Sequence, residues 1–186
     1  MTTRAIVPVK LSLTEGDFYT LWAPTWREKG SEWQAFLGDD QSVLAFHSPE
    51  ELLAYVSSTN THDLVDHPQW EQFQAQGDDR VVPDEKHYYD IIGAPEFLAG
   101  RPSHENVASL SRVFQIARSL ADVASAEQAQ IFFASHSILS NVSRGSEHYA
   151  GDNGLSEWSG VGRVVLANWQ DVVASLDQAV RVVDTS

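Results

Sequence analysis

The sequence predicts an α+β fold: an N-terminal antiparallel sheet of three or four strands with one capped helix, followed by a C-terminal helical region. Three observations carry this. Near the N-terminus Val7, Val9, Leu11 and Leu13 alternate with Pro8, Lys10 and Ser12, the period of a half-buried strand. Ser48-Pro49-Glu50-Glu51 has the layout of a helix start. Towards the C-terminus Trp158, Val161, Val165, Trp169, Val172, Leu176, Val180 and Val183 recur every three or four residues, which places them on one helix face.

The first strand spans Ile6 to Leu13, and Pro8, which has no N–H to donate, directs it to a sheet edge. Thr14-Glu15-Gly16-Asp17 reads as a turn, and Phe18 to Trp22 as a second, aromatic-rich strand that Pro24 ends. Trp33–Leu37 and Ser42–Phe46 flank Gly38-Asp39-Asp40-Gln41, which predicts a β-hairpin with a four-residue loop. In the helix that follows, Ser48 takes the N-cap, Pro49 the first helical position, and Glu51 the returning arm of a capping box. Leu52, Leu53, Tyr55 and Val56 supply its apolar face.

Residues 61–105 form an acidic, irregular connection punctuated by Pro68, Pro83, Pro95 and Pro102, with a helix near Pro68–Gln76. Residues 106–186 are helical. Ser103 or His104 caps a helix carrying Val107, Leu110, Phe114, Ala117 and Ala121. Ala126–Leu139 gives a second helix or two short ones, and the long periodic helix starts near Leu155. The expectation is one domain over residues 1–186, β-rich through residue 60.

Composition removes several chemistries. The 186 residues include no cysteine, which excludes disulfides, thiol nucleophiles, thiolate zinc sites and iron–sulfur clusters. A formal net charge of −14, from 26 acidic and 12 basic residues, opposes direct binding of nucleic acid or an anionic membrane. The charge is also local, because eight acidic residues lie between His62 and Asp90 against only Arg80 and Lys86. The N-terminus shows no apolar region of signal-peptide length, and no stretch approaches the roughly 18 apolar residues of a bilayer span, so a cytoplasmic location is expected.

Motifs for catalysis are absent. The chain has no G-x-S-x-G elbow and no Walker A loop. Gly160-Val161-Gly162 lacks the third glycine of a dinucleotide fingerprint and lies in the periodic C-terminal helix, where it reads as a close packing point. Ser135-His136-Ser137 sets hydroxyls beside an imidazole, but a triad is a spatial arrangement. Asp84-Glu85-Lys86-His87-Tyr88-Tyr89-Asp90 carries acid, base and phenol groups, and reads as a charged loop leading into a buried Ile91-Ile92 pair. The sequence therefore leans away from an enzyme, and no cofactor is implied.

Two groups of residues remain as candidate sites. His62-Asp63-Leu64-Val65-Asp66-His67 concentrates possible metal ligands, with His62, Asp66, His67 and the more distant His87 as a candidate set. The alternative is that they cap the helix near Pro68 and solvate a turn. The other group is an interaction surface of Asp78, Asp79, Asp84 and Glu85 with Trp26, which stands between Pro24 and the charged Arg27-Glu28-Lys29 on an expected loop. Tryptophan is enriched among binding hot spots, whereas Trp22 and Trp33 fall on expected strands and read as core.

Several strings, Leu21-Trp22-Ala23-Pro24-Thr25-Trp26-Arg27, Glu32-Trp33-Gln34-Ala35-Phe36-Leu37-Gly38, His62-Asp63-Leu64-Val65-Asp66-His67-Pro68 and Arg118-Ser119-Leu120-Ala121-Asp122-Val123, resemble an actinobacterial family of uncharacterised proteins loosely labelled "primosomal protein". The resemblance implies no catalytic residues, and its label implies a link to DNA replication or repair. Together the residues and the charge point to a non-catalytic interaction or regulatory module whose protein partner is basic or nucleic-acid-binding. The alternatives are a metal-dependent hydrolase or metal-binding protein built on His62–His67, and an acidic mimic of DNA.

Overall fold

The computed structural model describes residues 6–28, 31–38, 42–59 and 61–183, and for residues 25–28 and 31–34 the backbone only. Strand β1 (Val7–Leu13) turns through Thr14-Glu15 into β2 (Gly16–Glu28), where Gly16 takes φ +136°, a conformation L side chains rarely adopt. β3 (Ser31–Phe36) pairs antiparallel with β2. The strand β5 (Tyr88–Asp90) adds in parallel to β1, so the sheet order is β3-β2-β1-β5 and the sheet is mixed. The α+β class holds, but β1 is an inner strand. Pro8 is tolerated because β5 reaches only Lys10–Ser12, beyond the proline.

Two further expectations change for physical reasons. Pro24 does not end β2, because the register shifts between Ala23 and Trp26 and an irregular step of this kind relieves the ladder of a donor. Of the expected hairpin, loop residues 39–41 lie outside the described residues; among those described, Gly38 and Val43 form an antiparallel bridge and the Leu44 N–H donates to the Leu37 carbonyl at 2.8 Å. β4 (Val43–Ala45) also pairs in parallel with β6 (Val180–Val182), the segment that follows the last helix. Val180 and Val183 therefore leave the helical stripe.

Burial alternates across the sheet. Val7, Val9, Leu11, Phe18, Trp22 and Phe36 face one core together with the C-terminal helices. Leu21 and Ala23 face a second, smaller core with Leu52, Val56, Trp70 and Phe73. Helix α1 (Pro49–Ser58) supplies Leu52 and Val56, and its start matches expectation: the Ser48 hydroxyl accepts from the Glu51 N–H at 3.2 Å. The Glu51 carboxylate accepts from the His47 N–H at 3.0 Å, one residue earlier than an ordinary capping box.

The connection over 61–105 is ordered. Short 3-10 turns at Asp63–Asp66, Asp78–Val81 and Glu85–His87 alternate with α2 (Trp70–Gln74), β5 and α3 (Ala94–Ala99). The helical part consists of α4 (His104–Val123), α5 (Glu127–Ser135), a 3-10 run at Ser137–Arg144, and α6 (Gly151–Ala179). Ser103 caps α4 by accepting from the Asn106 N–H at 3.1 Å. In α6 the stripe Trp158, Val161, Val165, Trp169, Val172 and Leu176 is buried, as its spacing predicts. Gly162 in this helix lies beside Leu98 of α3.

Candidate functional site

The acidic stretch is held by contacts that turn its arginine inward. Arg80 is 7% exposed, and its guanidinium donates to Gln74 Oε1 at 3.1 Å and to the carbonyls of Gly77 and Gln76 at 3.2 and 3.4 Å. It also lies over the Phe73 ring at 5.7 Å. Asp78, 3.9 Å from the guanidinium, is 93% exposed and at the limit of an ion pair. All eight carboxylate residues between His62 and Asp90 are exposed, and within that segment Lys86 is the exposed strong base. The formal imbalance of the sequence is thus greater at the surface, because one of the two arginine and lysine charges is buried.

The same stretch exposes apolar side chains that sequence reading did not single out. Val82 is 50% exposed, Tyr88 46% and Ile92 46%, which corrects the expectation that Ile91 and Ile92 are both buried; only Ile91 is. β5 is the outer strand of its sheet, and its alternation sends Tyr89 inward while Tyr88 and Asp90 face out. Lys10 lies over the Tyr88 ring at 4.7 Å. The Asp84 carboxylate accepts from His87 Nδ1 at 2.8 Å and the Lys86 N–H at 3.0 Å, capping the turn that leads into β5. Slight burial works to raise the pKa of Asp84, but these bonds and the charge of His87 hold it below the usual carboxylate value. A signal for the apolar anchors existed in the alternation around Tyr89, but its phase depended on an edge position that only β1 pairing decides.

The other candidates separate. Trp26 lies in β2 in register with Trp33, not on a loop, and its side chain is outside the described residues. His62 and His67 are each 3% exposed, whereas Asp66 is exposed. Neither ring nitrogen of His62 has a hydrogen-bond partner among the described residues, and the ring meets Trp70 edge-on with centroids 4.6 Å apart. His67 Nδ1 accepts from the Gln69 N–H at 2.9 Å, so it does cap the turn before α2. Burial lowers the pKa of both imidazoles. Among the described residues no three His, Asp or Glu groups gather as a metal site, and His87 is tied to Asp84 instead. His136 Nδ1 bonds the Phe132 carbonyl at 2.8 Å, which turns the ring to the end of α5.

One pair escaped the sequence reading. His148 Nε2 and Glu157 Oε2 form a partly buried hydrogen-bonded pair, which Asn141 Nδ2 joins at 3.3 Å. It links the 3-10 turns before α6 to the helix itself, across nine residues with no recognisable spacing.

The comparisons with known proteins bear on the whole chain. The family model described as the SatS C-terminal domain matches residues 6–177. The chain belongs to this family. A solved structure titled "The crystal structure of SatS c-terminal domain in complex with bromine" is similar with a TM-score of 0.65 at 16% sequence identity. The likeness covers 96% of this chain and 94% of that one, and shows a common fold. No curated protein matches. The actinobacterial origin and the primosomal label are not part of what the SatS match shows. Among the described residues no helix is long and apolar enough to cross a membrane.

Proposed function

We propose that this SatS C-terminal-domain protein is a non-catalytic interaction module that docks a basic protein surface through residues 78–92. The observation that supports it most is the combination of the inward-turned Arg80 with outward Asp78, Asp79, Asp84 and Glu85 beside exposed Val82, Tyr88 and Ile92. Carboxylates steer a cationic partner and set its orientation, while desolvated apolar groups supply most of the affinity. Trp26, the expected anchor, belongs to the same proposal as a second contact. A nucleic-acid-binding protein is one class whose surface carries the complementary charge.

The test is affinity capture from the native host with the wild-type chain and with a variant combining Asp78→Lys, Asp79→Lys, Asp84→Lys and Glu85→Lys. A specific partner should be lost from the variant and from Tyr88→Ala, and should dissociate as salt rises. A partner retained by both variants and insensitive to salt overturns this reading. Displacement of that partner by duplex DNA would put the contact on the partner's nucleic-acid site, as an acidic mimic of DNA requires.

A further inference from the structure

Arg118 is a partly buried charge that no hydrogen bond or ion pair holds among the described residues. It sits on α4, half-buried, with its guanidinium 4.9 Å from the ring centroid of Phe133 on α5. Its Nε is fully buried without a hydrogen-bond partner, and among the described residues the side chain makes no ion pair. Arginine stays charged in proteins, and a desolvated charge without a partner is unfavourable. Burial pulls its pKa below the ordinary arginine value, while the charge of Asp122, one turn along α4, pushes it back up.

This guanidinium lines a groove of about 480 Å³ between α4 and the 3-10 run at Ser137–Arg144. Phe114, Leu139 and Val142, all buried core residues, also line it, and Ser111, Gln115 and Ser143 add polar groups. The volume is in the range of small-molecule sites, and polar residues make up most of the lining, with the apolar ones at its floor. A planar guanidinium with free N–H groups matches a carboxylate or phosphate in bidentate geometry. Two features select between those anions. Asp122 lines the same groove, and the whole chain carries −14, so a dianion meets more repulsion than a monoanion.

We propose that this groove binds a monocarboxylate with an apolar tail, the carboxylate pairing with Arg118 and the tail lying on Phe114, Leu139 and Val142. Such a group is found on a free aliphatic acid and at the C-terminus of a peptide ending in an apolar residue. The site is independent of the acidic stretch, and its test involves no protein partner.

The experiment is titration of the 15N-labelled full chain with hexanoate, hexanamide, acetyl-Ala-Leu with a free carboxylate, and inorganic phosphate, followed by amide shifts. Hexanoate or acetyl-Ala-Leu should shift the amides of Ser111, Ser119, Asp122 and Ser143 saturably at millimolar concentration, and the tighter of the two identifies the source. Hexanamide should bind at least about tenfold more weakly, the loss expected when a charge-assisted pair is removed. Arg118→Gln should weaken the carboxylate to a similar degree, and Arg118→Lys by less. No saturable shift with either carboxylate, equal binding of hexanamide, or tighter binding of phosphate overturns the proposal. The amide comparison uses wild-type protein, so it decides even if Arg118→Gln does not fold.

Discussion

The indole N–H of Trp169 donates to the carbonyl of Ile91 at 2.7 Å, and this buried bond joins the long C-terminal helix to the end of the acidic stretch. Trp158 does the same one segment later, donating to the Gly100 carbonyl at 2.9 Å. Two indoles three turns apart on one helix face thus hold the connection on either side of α3, whose Ala94 is fully buried in the same core.

Trp169→Phe keeps the aromatic packing against Phe114 and Phe132 but removes the shorter of two hydrogen bonds to the Ile91 carbonyl, leaving the one from the Ala94 N–H at 3.3 Å. The expected loss is about 0.5–1.5 kcal/mol, the net value of one hydrogen bond, measured by urea denaturation. Because the link runs between distant segments, unfolding is expected as one cooperative transition with coincident fluorescence and circular-dichroism curves. Two separated transitions would show that the β-rich and helical parts are independent domains.

Gly154 lies in the first turns of α6, buried against the backbone of Tyr149. A Cβ there would overlap the Tyr149 carbonyl group, a backbone obstacle that no rotamer change removes. In an open helix alanine is better than glycine by about 1 kcal/mol. Here Gly154→Ala should lower the melting temperature, so the sign of the effect alone reports whether the close approach exists.

His62 makes stability depend on pH. Its imidazole is buried and desolvation lowers its pKa from the ordinary histidine value of 6.5, so the unfolded chain takes up a proton before the folded one does. The unfolded state then binds more protons as pH falls below 6.5, and stability declines from that point down to the folded pKa. His67 shifts in the same direction and adds to the slope. Denaturation at about pH 7.5 and about pH 5.5 should show lower stability in acid, by at most about 1.4 kcal/mol per pH unit for each group. His62→Leu should flatten the dependence. An unchanged slope in that variant would mean that His62 is already solvated or paired.

Tyr149 offers a complementary case. Its hydroxyl is buried with no hydrogen-bond partner among the described residues, and burial, with the charge of Glu157, pushes its pKa up to about 12. Tyr149→Phe removes an unsatisfied polar group while keeping the ring edge-on to Trp158. The expected outcome is unchanged or greater stability, by up to about 1 kcal/mol. A marked loss would reveal a partner for the hydroxyl.

Legibility followed sequence distance. The Ser48 cap, the Ser103 cap and the buried stripe of α6 rest on residues a few positions apart, so local pattern was enough to place them. The hairpin expectation accounts for the contact of Gly38 with Val43 but not for β6, more than a hundred residues away on the other edge of β4, because alternation states only that a strand will pair, not with which strand. Pro24 reads as a strand end in the sequence because the register shift that accommodates it is set by β3, the neighbouring strand.

The candidate site divides the same way. The absence of cysteine and the run of acids from Asp63 to Asp90 were properties of the chain by itself, and they bound its chemistry before any folding. Composition could not say that Arg80 turns into the protein while the carboxylates stay out, since charge count carries no direction. Nor could it place Tyr88 and Ile92 on an exposed edge, or turn Arg118 into a groove where no ion pair or hydrogen bond holds it among the described residues. Those outcomes belong to tertiary structure, because burial and pairing are set by residues far away in sequence that meet only when the sheet and helices pack.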